Sequence, residues 1–152
     1  MAVAVTAFAV VPPGGSKFKG TTNAPAFTGA KGQHFKDPVS FKVSKDKSKV
    51  TRFKFGTLGC FGSGGPPPTK NPYTFKSNTV KLKPLTLTSK GKFSGKQNAT
   101  VAGFPGTVKV SGKFKKKKHK LKASGKITIT QTQPGNISCG PATMKFKAKK
   151  KK

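Results

Sequence analysis

Leu121-Lys122-Ala123-Ser124-Gly125-Lys126-Ile127-Thr128-Ile129 places an apolar or small residue at every odd position and a polar one at every even position. A period of two sends successive side chains to opposite faces, so residues 121–129 read as a half-buried β-strand with Lys on its wet face. The same alternation runs through Val39-Ser40-Phe41-Lys42-Val43, Val108-Lys109-Val110-Ser111-Gly112-Lys113-Phe114 and Met144-Lys145-Phe146-Lys147-Ala148. Phe53-Lys54-Phe55 alternates too, but Val50 is out of phase with it. Val80-Lys81-Leu82 and Leu85-Thr86-Leu87 are offset across Pro84, which predicts a bulge where a sheet tolerates proline. No stretch carries helical periodicity. Ser94-Gly95-Lys96, Ser111-Gly112-Lys113 and Ser124-Gly125-Lys126 recur at the spacing of successive meander strands, and a glycine inside each predicts matched bends. The expected fold is all-β: an antiparallel β-sandwich or flattened barrel of about eight strands, with a meander-rich second half.

Working outward from the strands, the 152 residues suit one domain. Leu, Ile, Val and Phe make up only 32 of them, near the limit below which a highly charged chain stays disordered. Disorder does not require Lys and Phe to separate onto alternate positions, so the pattern decides for a fold over residues 17–148. Residues 1–16 are set apart. Met1–Val11 is apolar, with the length of a signal-peptide core, and Ala7-Phe8-Ala9 fits a small-x-small cleavage pattern, although the basic leading region is missing. The alternative for this stretch is a disordered tail or an extra edge strand, followed by a Pro12–Ser16 linker. Gly62–Pro72 reads as a long Gly/Pro loop, and residues 149–152 as a basic tail. No segment reads as transmembrane.

Composition excludes most catalysis. There are 32 Lys or Arg against 2 Asp and no Glu, for a net charge of +30. Acid–base, glycosidase and hard-cation chemistry needs clustered carboxylates, and Asp37 and Asp46 do not supply them. His34, Asp37 and Ser40 lie close in sequence without a nucleophile elbow or oxyanion loop, and read as an ordinary approach to a strand. His119 sits in a run of lysines and reads as part of a charged hairpin tip. The chain is therefore expected to be no enzyme, with no cofactor, no metal and no small-molecule substrate. Cys60 and Cys139 are the only cysteines. Paired, they would close a loop of about 80 residues, worth roughly 4–5 kcal/mol on the chain-entropy model. Two buried free thiols are the alternative. A zinc site with His34 and His119 lacks the close ligand spacing such sites use.

The functional signal is lysine. Arg52 is the only arginine, and Arg, not Lys, dominates bidentate reading of guanine and phosphate. A lysine surface attracts by charge density. The candidate polyanion-binding residues are Lys109, Lys113, Lys115, Lys116, Lys117, Lys118, Lys120, Lys122, Lys149, Lys150, Lys151 and Lys152. The expected partners are anionic polymers or surfaces, including wall polymers, acidic polysaccharide and DNA without sequence preference. The expected location is secreted or cell envelope. The alternatives are a cytoplasmic or nucleoid nucleic-acid module, with Tyr73 or loop Phe residues stacking on bases, and a charge that only solvates the domain.

Lys19-Gly20-Thr21-Thr22, Val39-Ser40-Phe41-Lys42-Val43-Ser44, Val50-Thr51-Arg52-Phe53-Lys54-Phe55, Cys60, Gly91-Lys92-Phe93-Ser94-Gly95, Val110-Ser111-Gly112-Lys113-Phe114, Cys139-Gly140 and Phe146-Lys147-Ala148-Lys149 together resemble a group of secreted bacterial all-β domains. The resemblance covers about residues 17–150. It implies export and a Cys60–Cys139 bridge, and brings no active site. This chain departs from the group in having almost no acidic residues.

Overall fold

Backbone amides of alternating strands find partners only by pairing laterally, and here the pairing runs until it meets its own start. The computed structural model describes residues 8–25, 34–35, 37–57, 78–101, 104–133 and 137–152. Its strands are β1 (Phe8–Ala9), β2 (Lys17–Pro25), β3 (His34–Phe35), β4 (Pro38–Val43), β5 (Lys49–Thr57), β6 (Asn78–Lys81), β7 (Leu85–Leu87), β8 (Lys92–Val101), β9 (Phe104–Lys117), β10 (Lys120–Gln133) and β11 (Ile137–Lys150). Every ladder is antiparallel. The order runs β2, β4, β5, β6 with β7, β8, β9, β10, β11 and back to β2. The sheet thus closes into an eight-position barrel; β1 is added on β9, and β3 pairs with β2. Closure removes the open edges that a lone sheet would expose.

The two phase offsets in the sequence are one feature of the barrel. Arg52 has φ 53°, and the β4–β5 register slips between Ser40 and Lys42. This bulge on β5 turns Val50 and Phe53 both inward, and both are buried. On its other side β5 keeps one register through Lys54↔Lys81 and Val50↔Leu85, so β6 and β7 form a single strand interrupted at Pro84. The interruption frees backbone groups at Lys83. Gln97 takes both: Lys83 N–H donates to its Oε1 at 2.6 Å, and its Nε2 donates to Lys83 O at 3.2 Å.

An eight-stranded barrel is just wide enough for side chains to fill, and phenylalanine fills this one. Phe18, Phe41, Phe53, Phe93, Phe114 and Phe146 are buried with ring centroids 5.0–6.4 Å apart. Phe41 touches the other five. Burying each ring contributes on the order of 2–3 kcal/mol.

The recurring glycines also lie at inward positions, where neighbours occupy the space a side chain would need: Leu85 at Gly95, the Phe93 ring at Gly112, and the Ser111 carbonyl with the Phe146 ring at Gly125. A Cβ on Gly112 would strike the Phe93 ring. At the β2–β11 seam, a Cβ on Gly20 would strike the Lys147 carbonyl, so this glycine permits closure. The sequence pattern predicts bends at the recurring glycines; the structure gives them a packing role.

Residues 10–16 pack onto the same body. Val10 and Val11 rest against the core, Pro12 and Ser16 are buried, and Gly15 N–H donates to Val43 O at 3.0 Å. Lys149 and Lys150 continue β11, and Lys151 N–H donates to Lys17 O at 2.8 Å, so the basic tail is held to β2. Cys60 and the Gly62–Pro72 loop lie outside the described residues.

Gly112→Ala should cost about 1–3 kcal/mol in urea unfolding through overpacking. The same substitution should cost clearly less in a Phe93→Leu background. Additive losses would show that the Phe93 ring is not the obstacle.

Candidate polyanion-binding surface

With the apolar set inside, the polar set is displayed outside, and strand register decides which lysines become neighbours. Directly opposed residues in adjacent strands have Cβ atoms about 5 Å apart. The ladders oppose Lys to Lys nine times among the described residues: Lys92–Lys113, Lys96–Lys109, Lys115–Lys122, Lys117–Lys120, Lys122–Lys149, Lys126–Lys145, Lys149–Lys19, Lys17–Lys42 and Lys54–Lys81. Like charges so placed destabilise a sheet. No described carboxylate sits among them.

The lysines also have a direction along the barrel. Ser44–Ser48, Thr88–Gly91 and Lys118–His119 turn the chain at one end, here the turn end. Outward positions near it carry Lys17 and Lys19 on β2, Lys42 on β4, Lys113 and Lys115 on β9, Lys122 on β10, and Lys147 and Lys149 on β11. Toward the far end the outward positions become Asn23, Asn98, Thr100, Thr107, Thr130 and Thr143. There the cross-strand contacts are hydroxyl bonds, such as Thr128 Oγ1 to Thr143 Oγ1 at 3.0 Å. Lys54 with Lys81 on β5 and β6, Lys96 with Lys109 beside Thr128, and Lys145 opposite Asn23 are exceptions.

Two adjoining hollows indent the lysine surface. One, of about 680 Å³, is lined by Lys19, Lys115, Lys117, Lys122, Lys147 and Lys149 around Gly20, Thr21, Ala123 and Ser124. The other, of about 460 Å³, is lined by Lys92, Lys113, Lys126, Lys145 and Lys147 around Ser111, Gly112, Ser124 and Gly125. They share Ser124 and Lys147 and form one trough across β8, β9, β10, β11 and β2. Its small floor residues admit a ligand group close to the sheet. The Ser and Thr hydroxyls can donate to phosphate or sulfate oxygens, and the lysines supply charge.

The structure brings together Lys113, Lys115, Lys117, Lys122 and Lys149 from the sequence-based set. Lys109 lies one step farther along β9, opposite Lys96. Lys116 pairs with Phe8 of β1, Lys118 lies in the hairpin turn and Lys120 follows it, Lys150 ends β11, and Lys151 and Lys152 come after that strand. Sequence runs missed Lys17, Lys19, Lys92, Lys126, Lys145 and Lys147. They join the surface only through the ladders that β8, β10, β11 and β2 make with their neighbours, although the alternation around Phe146 already marked Lys145 and Lys147 as outward.

Neither aspartate faces the trough. Asp37 is buried; Thr22 N–H donates to its main-chain oxygen at 2.8 Å, and its Oδ2 has no hydrogen-bond partner among the described residues. Ser40 stands on the outward face of β4, which begins just after Asp37, opposite Lys19 and Lys54, so the two do not converge. Cys139 lies in β11 opposite Gln131. Among the described residues, no three His, Cys, Asp or Glu side chains cluster, and no helix is long and apolar enough to cross a membrane. A membrane-spanning barrel would show an apolar outer band, the inverse of these outward lysines. No family model matches the chain, and no curated protein matches it.

Asp46 is the exposed carboxylate of the β4–β5 turn. Ser44 Oγ donates to its Oδ1 at 2.5 Å, Ser48 Oγ to its Oδ2 at 2.6 Å, and Ser48 N–H to its Oδ1 at 3.2 Å. The Ser44 bond, then the Ser48 bonds, lower its pKa from 3.8 to about 2. A depressed folded-state value gives a contribution present above the unfolded value and lost as pH falls through the folded one. An NMR titration should therefore place the Asp46 midpoint near 2, and Ser44→Ala with Ser48→Ala should return it toward 3.8. A midpoint unmoved by both substitutions would contradict this assignment.

Proposed function

We propose that the protein is a non-catalytic barrel domain, exported or held at the cell envelope, that binds polyanions through its lysine trough. The observation that carries this reading is the trough itself: lysines from five strands around a floor of Ser, Thr and Gly, with no described carboxylate to neutralise them. Binding by lysine gives charge recognition without a base-reading fork. Stacking on bases is less favoured, because every Phe whose side chain is described is buried. Tyr73, Phe61 and Phe75 lie outside the described residues. Lysine on β4, β5 and β6 as well favours a solvating share of the charge.

A Cys60–Cys139 disulfide belongs to the same proposal. The described end of β5, Thr57, and the start of β11, Ile137, lie at the same end of the barrel, which supports the pairing. Thiol titration of unreduced, denatured protein should find no free thiol; two would remove the disulfide and weaken the case for export.

The binding test uses a labelled oligo(dT) 20-mer followed by anisotropy across a salt series. Counterion release predicts a steep fall in affinity with salt, with a log–log slope of about −0.7 per phosphate neutralised. Lys115→Gln with Lys122→Gln and Lys149→Gln should flatten that slope by about 2. An equal charge loss in the turns, through Lys45→Gln, Lys47→Gln and Lys90→Gln, should do less. Equal effects of both triples would leave net charge and no trough.

A further inference from the structure

The trough occupies part of a longer row. From β9 the register runs Lys115↔Lys122↔Lys149↔Lys19, crosses Ser40 on β4, and continues to Lys54 on β5 and Lys81 on β6. Six of its seven positions are lysine, and it spans seven of the eight strand positions. Adjacent strands lie about 4.8 Å apart, so the row extends for roughly 29 Å of surface. Barrel strands are tilted, so a line across them winds as a helix around the outside. The row is therefore a lysine spiral enclosing most of the barrel.

Resting on the polyanion reading above, we propose that the ligand is a flexible single chain of phosphate groups that winds around the barrel along this spiral. The shape of the surface selects it. A duplex is stiff over about 150 base pairs, so it touches a small convex barrel along one side and leaves the β5–β6 lysines free. A single phosphate chain bends at every unit and can follow the row. Lysine suits such a ligand, because a mobile ammonium accepts a phosphate from many directions where an arginine fork needs one geometry. Ser40 lets the chain pass between Lys19 and Lys54 while offering a hydroxyl.

The probes are linear polyphosphates of about 5 and about 60 units, with wild type, Lys54→Gln/Lys81→Gln and the Lys115/Lys122/Lys149→Gln triple. Winding predicts that the far-side pair weakens the long chain roughly tenfold or more at 0.1 M salt and leaves the short chain unchanged. The trough triple should weaken both. Lys54→Arg/Lys81→Arg should restore long-chain binding, and unchanged unfolding midpoints would show that the fold is intact. A 60-mer oligo(dT) with the same far-side dependence assigns a phosphodiester chain, whereas dependence with polyphosphate alone assigns polyphosphate; either supports winding. A duplex of equal charge that feels the far-side pair equally would overturn it, as would a long chain indifferent to that pair. The latter result, with the triple still effective, leaves the trough reading standing. If no probe binds wild type, both fall.

Discussion

In a closed antiparallel ladder every residue is committed to the inside or the outside, and a one-residue change of phase moves it across. This chain fills nearly all its inward positions with Phe, Val, Leu, Ile, Ala and Gly, and many of its outward positions with Lys. The six core rings around and including Phe41 hold the barrel shut. The same alternation sets like charges opposite one another on the outside, from Lys92–Lys113 to Lys54–Lys81. The packing that closes the barrel therefore also concentrates its repulsion, because registers fixed by Phe, Gly and turns leave the lysines no choice of neighbour.

The two aspartates do little to relieve that repulsion. Asp46 is engaged by Ser44 and Ser48 within its turn, and Asp37 is buried. A surface so arranged gains most from anions supplied from outside. Toward the far end Thr and Asn replace Lys and bond across strands, so the demand for anions is strongest around the turn-end half and along the spiral.

Much of the strand content was legible because period two is a local signal. Leu121–Ile129, Val108–Phe114 and Met144–Ala148 fall inside β10, β9 and β11. The offsets at Val50 and Pro84 were visible, but their single cause was not, since only pairing shows that β5 and the β6–β7 strand run at constant register. Closure by β2 against β11 was not legible: it joins residues more than a hundred positions apart, and Gly20 has no local mark distinguishing it from other glycines. For the same reason runs such as Lys115–Lys118 stood out, whereas Lys19 and Lys147 were gathered into the surface only by topology. The Val10–Ser16 stretch read as apolar tail and linker because its partners, including Val43, are distant in sequence.

The coupling between fold and outer charge is tested most directly by the thermal unfolding midpoint as a function of ionic strength, with added linear polyphosphate at fixed ionic strength. Each opposed lysine pair costs a few tenths to about 1 kcal/mol. Screening between 10 and 300 mM sodium chloride should therefore raise Tm by at least about 5 °C. Submillimolar polyphosphate should raise it further at constant salt. A midpoint that is flat or falls with salt, and is indifferent to polyphosphate, would contradict the claim that lysine repulsion limits this barrel and that anions relieve it.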